Sequence, residues 1–160
     1  MIKSLHIENI AVIEKIDIEF DGGFNVLTGE TGAGKSIIID AINAVLGERT
    51  SKDLIRAGCE KATVSALFGD LSQEAEKVIV DNGFELDDGN LLVTRTLTLS
   101  GGTIKVNGRP ATASILKEIA KNLINIHGQH DSRILMMPET HIDILDNFGS
   151  LGNKLEEYRI

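Results

Sequence analysis

The sequence predicts an α/β fold with a substantial antiparallel part, on three observations. Short segments alternate apolar and polar residues at a period of two, helical runs follow several of them, and a glycine-rich turn joins one apolar run to one helix. The 160 residues, 42% of them hydrophobic, suffice for one modest core. A net charge of −8 gives no general attraction for nucleic acid, so any DNA contact needs a local patch or other parts of a larger assembly. The single cysteine, Cys59, excludes an internal disulfide and a cysteine metal cage, which fits a reducing cytoplasm. The N-terminal run is broken by charges, unlike the apolar core of a signal peptide, and nothing downstream approaches a membrane span. A soluble cytoplasmic protein with no membrane role is expected.

In chain order, Ser4–Glu8 and Lys15–Phe20 alternate as half-buried strands, with Ile16, Ile18 and Phe20 sharing one face. "DGG" at Asp21–Gly23 is a turn, "FNVLTG" a short buried strand, and "IIIDAINAVLG" a helix stopped by Gly47. A charged loop, Glu48–Lys61, leads to a strand at Ala62–Phe68 and a helix from Ser72, a plausible N-cap, to Asn82. Leu91–Val106 reads as a hairpin, Thr112–Asn122 as an amphipathic helix, Leu123–His127 as a buried strand, and the tail from Glu139 as helix. No internal repeat or low-complexity segment interrupts this order.

"GETGAGKS", Gly29 to Ser36, matches G-x-x-x-x-G-K-[ST] in full, between a predicted strand and a predicted helix. That context is what phosphate binding requires. Gly29, Gly32 and Gly34, with Glu30, Thr31 and Ala33 between them, let the backbone curl until successive N–H groups converge on phosphate oxygens. The helix opening near Lys35 adds its positive end. Lys35 can reach the β- and γ-phosphates, and the Ser36 hydroxyl can ligate Mg²⁺. The motif predicts binding of a nucleoside triphosphate.

Ile2 to Gly47, with two strands and "FNVLTG" leading into the phosphate loop, resembles the N-terminal end of the SMC-like ATPases. The variant "GETGAGKS", the preceding "ENIAVIE", "GERTSKDLIRAGCEKATVSALF" and the later "HGQHD" are similar to the bacterial DNA-repair branch of that family, and the likeness spans nearly the whole chain. The resemblance implies a P-loop ATPase head of ABC/SMC type, of which this is the N-terminal lobe, with a mixed sheet and an antiparallel β part. It implies ATP and Mg²⁺ as cofactors, and Gln129 in "NIHGQHD" as the Q-loop glutamine that contacts Mg²⁺ and holds the attacking water. It also links an arginine after the first helix, Arg56 in "LIRAG" rather than Arg49, to the partner head or to DNA; a solvated loop arginine is the default. His127 and His130 lack a third ligand at usable spacing, so no structural metal is expected there.

Hydrolysis also needs acidic residues at the end of a buried strand. Asp40 lies inside the helix after the phosphate loop and Asp81 at the end of a helix, so neither qualifies. "LSGG", Leu99 to Gly102, matches the ABC signature in letters only. It is flanked by alternating strand patterns and precedes Gln129, so Ser100-Gly101-Gly102 reads as a hairpin turn. The resemblance supplies an account of the missing half. In SMC-like proteins a coiled coil interrupts the head, and a C-terminal lobe returns with signature and acidic strand. Residues 1–150 then form the N-terminal lobe, and 151–160 begin the outgoing coiled-coil helix. Partners implied are that lobe, a second head in an ATP-dependent dimer, and DNA through the full-length assembly; the role is double-strand-break repair and recombination. The fragment alone would bind ATP with little hydrolysis and self-associate at high concentration through an unpaired sheet edge. Rival classes are a self-contained P-loop kinase, an ABC transporter ATPase and a non-catalytic nucleotide-binding module. The missing acidic strand weighs against the first, and the long interval between Lys35 and Gln129 against the second.

Overall fold

The structure, a computed structural model, describes residues 1–28, 34–124, 141–149 and 151. They divide into two compact units, 1–125 and 126–160. The first is built on a six-stranded sheet, ordered β2-β1-β3-β4-β5-β6, in which every neighbouring pair is antiparallel. The strands are β1 (Ile2–Ile10), β2 (Ile13–Glu19), β3 (Lys61–Phe68), β4 (Leu91–Thr98), β5 (Gly101–Val106) and β6 (Arg109–Pro110). The helices of this unit are α1 (Lys35–Val45), α2 (Gln73–Asp81) and α3 (Ala113–Ala120), and a 3-10 turn spans Lys52–Leu54.

Alternation sets the sheet's buried face. In β3, Ala62, Val64, Ala66 and Phe68 are fully buried while the residues between them are not. Leu5 and Ile7 of β1, and Leu91 and Val93 of β4, continue the same face. Burying each such large side chain contributes about 1.5–3 kcal/mol. Helix α1 packs on β1, β3 and β4 and offers Ile38, Ala41, Ile42 and Val45 as its buried stripe. Helices α2 and α3 pack on each other; Ser72 caps the first through Ala75 N–H and Thr112 the second through Ile115 N–H.

The β1–β2 connection is a two-residue turn, Ala11-Val12, with Ala11 at φ 47° and Asn9 at φ 57°. The 3-10 segment holds it there: Ala11 N–H donates to Leu54 O, and Arg56 N–H to Asn9 O, both at 2.9 Å. Gly47 ends α1 at φ 91°, close enough to α3 that a Cβ would lie 3.1 Å from Lys117 Cγ.

Two expectations change. "FNVLTG" is not a strand: residues 24–28 have no regular structure, and Phe24, Val26 and Leu27 are 93%, 63% and 40% exposed. An apolar run becomes a strand only when neighbours supply hydrogen bonds and cover, and no described strand pairs with this one. Of the strand expected at Leu123–His127, Leu123 lies in a turn, Ile124 has no regular structure, and the rest lies outside the described residues. The described sheet is therefore wholly antiparallel, and the parallel component of the expected mixed sheet is not among the described residues. In the second unit, helix α4 (His141–Phe148) appears within the helical tail expected from Glu139, with Ile142, Leu145 and Phe148 exposed at helical spacing.

Candidate functional site

Lys35 is the first helical residue of α1. Gly34 precedes it in the left-handed region, φ 113°, and its carbonyl accepts the first helical bond, from Ile38 N–H at 3.0 Å. Nothing lies within 4 Å of a Cβ built on Gly34, so glycine is required there by backbone conformation, not crowding. Among the described residues no side chain caps this helix, and no acidic residue occupies its first turn. Both are unusual for a helix start, which normally recruits a hydroxyl or carboxylate for its orphan N–H groups. The partial positive charge of α1 is left for an external anion. Ser36 is exposed in that first turn.

The structure thus places Gly34, Lys35 and Ser36 of the predicted set at one helix end. Gly29, Glu30, Thr31, Gly32, Ala33 and Gln129 lie outside the described residues, as do His127 and His130. Asp40 is exposed midway along α1 and Asp81 is the last residue of α2, so neither stands at the phosphate end of α1. "LSGG" is part of a hairpin, as expected, although the turn is Leu99-Ser100 and both glycines belong to β5. Gly102 is fixed by contact: a Cβ there would lie 2.5 Å from Thr96 O. Arg56 is engaged within the chain, its Nη1 donating to Val12 O at 2.6 Å. Arg49 is exposed in a groove that also carries Asp40, Glu48 and Asp53.

Sequence reasoning missed Arg95. Its Nη1 donates to Ala44 O at 2.7 Å and Glu48 O at 2.6 Å, and its Nη2 to Thr50 Oγ1 at 3.3 Å. Ala44 O, in the last turn of α1, also accepts Gly47 N–H at 3.1 Å, so Arg95 is a second donor to it, and a cation there complements the helix dipole. Burial pushes the Arg95 guanidinium below its ordinary range, and the charge of Glu48 opposes that shift. The signal was an arginine on the apolar parity of a strand, between Val93 and Leu97. Arg95 fixes the far end of the helix whose near end carries the phosphate-loop glycine.

An uncapped helix start behind a glycine turn, carried on this sheet, defines a P-loop nucleotide-binding domain of the ATPase-head type. The chain belongs to the family described as AAA domain, whose model matches residues 4–159. It is similar to the DNA repair protein RecN of Bacillus subtilis, 41% identical over 152 residues, which are 92% of this chain and 26% of that protein. The chain spans about a quarter of the length of the curated relatives it matches. Among solved structures, one from work on ATP-driven dimerisation and DNA-stimulated activation of SMC ATPases is 28% identical, with a TM-score of 0.66, covering 92% of this chain and 98% of that one. An SMC head bound to the C-winged helix domain of ScpA is 29% identical, with a TM-score of 0.68, covering 91% of this chain and 50% of that one. The fold is that of SMC-type heads, and the resemblance to the bacterial DNA-repair branch holds at the level of these relatives. Among the described residues, no helix is long and apolar enough to cross a membrane.

Proposed function

We propose that this chain is the N-terminal lobe of an SMC-like ATPase head that acts in DNA double-strand-break repair, binding ATP through Gly29–Ser36. The observation that carries this is the full phosphate-loop motif ending at a helix start that, among the described residues, has neither a side-chain cap nor a carboxylate in its first turn. Backbone N–H groups of Gly29, Glu30, Thr31, Gly32, Ala33 and Gly34 surround the phosphates, and Lys35 neutralises the β- and γ-oxygens. The donors present suit Mg²⁺: a first-turn hydroxyl, Ser36, and an amide oxygen from Gln129, both hard neutral oxygens. Held by Ser36 and Gln129, Mg²⁺ would supply charge neutralisation at the terminal phosphates. Gln129 also orients the attacking water.

Hydrolysis requires groups that this stretch lacks. A C-terminal lobe of the same protein supplies the acidic strand end, and the signature of a second head closes over the nucleotide. ATP binding drives head engagement, and hydrolysis releases it. DNA is engaged by the whole assembly in the bacterial cytoplasm. Two facts support a half-head: the chain covers half of a solved SMC head, and its apolar stretch at 24–28 lies uncovered.

The test is nucleotide binding and steady-state ATPase activity with Mg²⁺, on this chain and on the full-length protein, each beside Lys35→Ala. The expected outcome is binding by both, weakened about tenfold or more by Lys35→Ala, with turnover by the full-length protein alone. Turnover by the 160-residue chain that Lys35→Ala abolishes would overturn the half-head account.

A further inference from the structure

Helix α1 is held unequally at its two ends. At its start no described side chain caps it, and the N–H groups left open there are what a phosphate needs. Along its length the buried stripe Ile38, Ala41, Ile42 and Val45 keeps it on the sheet. Apolar burial is non-directional, so by itself it sets no exact position along or around the helix axis. Among the described residues, side-chain hydrogen bonds from other elements reach this helix and the loop after it only at the far end.

Two cations meet that end, and they are not equal. Lys117 Nζ stands 3.3 Å from Glu48 Oε2, but both side chains are exposed, and such a pair holds weakly. Arg95 is half-buried, and its guanidinium donates to Ala44 O in the last turn, to Glu48 O and to Thr50 Oγ1. These bonds are charge-assisted, and a planar fork reaches several acceptors in one fixed geometry. The base of the fork is fixed as well. Strand β4 is interior to the sheet, and Arg95 is paired with Val64 on one side and Ile104 on the other.

We propose that Arg95 is a positioning residue for nucleotide binding: from β4 it sets the position and rotation of α1, and with them the place where Gly34, Lys35 and Ser36 meet the phosphates. This rests on the reading of Gly29–Ser36 as the nucleotide loop. Arg95 acts through the helix, not on the ligand. The 11 residues of α1 make a rod of about 16 Å, so a change of setting at Ala44 is carried to Gly34. Hydrogen bonds weaken steeply once distance and angle leave their narrow range, so a small displacement at the open end costs affinity.

The test measures MgATP binding by calorimetry on the full-length protein, at a temperature where every variant is folded. Arg95→Ala should weaken binding about tenfold, and Arg95→Lys by less, which keeps the test usable if the alanine variant does not fold. Lys117→Met, which removes only the exposed pair, should stay within about twofold of the wild type. Ile79→Ala, a cavity in fully buried α2 packing, should lower the unfolding temperature without weakening binding. A second readout needs no nucleotide: exchange of Ile38 N–H, which closes the first turn of α1 onto Gly34 O, should quicken in the Arg95 variants and not in Ile79→Ala. Unchanged affinity in the Arg95 variants, an equal loss in Ile79→Ala, or unaltered exchange at Ile38 overturns the proposal. Failure of the wild-type protein to bind overturns the nucleotide reading instead, and exchange at Ile38 then decides whether Arg95 sets the helix.

Discussion

Strand β3 and the stretch 24–28 are both apolar enough to read as buried strands, yet they lie in opposite environments. Ala62, Val64, Ala66 and Phe68 are completely buried, whereas Phe24 is 93% exposed. The difference is not composition. Strand β3 has a partner on each side, β1 and β4, and α1 against its face; residues 24–28 have no strand partner among the described residues. A β-strand is a property of its neighbours as much as of its sequence. Where no described neighbour supplies hydrogen bonds and cover, the pattern is legible and the strand is absent.

The largest effect that could break this contrast comes from its two phenylalanines. Phe68→Ala should cost about 3–5 kcal/mol in urea unfolding of the 160-residue chain, and Phe24→Ala no more than about 0.5 kcal/mol. In the full-length protein the two costs should converge if further chain covers residues 24–28. Equal costs in the short chain would mean that residues 24–28 are already packed.

A smaller effect is expected where the sheet meets α1. Arg95→Ala removes charge-assisted bonds to Ala44 O and Glu48 O and should cost about 1.5–3 kcal/mol. Thermal unfolding checks it, with Arg95→Lys recovering only part because a single ammonium cannot span the same acceptors.

The smallest effect belongs to the sheet's edge, at β2. His6 Nδ1 and Asp17 Oδ1 stand 2.5 Å apart across the β1–β2 pair. That hydrogen bond is the main cause holding the Asp17 carboxyl below its ordinary 3.8. A lowered carboxyl stabilises the fold above its unfolded value, and the gain is lost as pH falls through the folded one. Asp17→Asn should therefore lower the urea midpoint slightly at neutral pH, and the gap should narrow as pH falls below the ordinary 3.8 and through the lowered folded value. An unchanged gap at acid pH would mean that the carboxylate is not its source.

Local patterns made most of the antiparallel unit legible. Alternation located β3 and the β4–β5 hairpin, and Ser72 and Thr112 marked the starts of α2 and α3 within a residue. The phosphate loop was legible because its chemistry demands particular residue types in series. Arg95 was not, because its role depends on the end of a helix far away in sequence. The exposure of 24–28 was also hidden, since no local pattern records whether partner strands are present.

The two-residue turn at Leu99-Ser100 constrains how this hairpin can change in length. With Gly102 held against Thr96 O, β4 and β5 have no slack to absorb one extra residue. A single insertion that slipped the register would exchange inward and outward amides along β5 and turn its side chains over. Insertions that keep the pairing must add whole residue pairs or enlarge the turn itself. The longer loop at Glu48–Lys61 has no such parity rule, so length variation is more easily accommodated there.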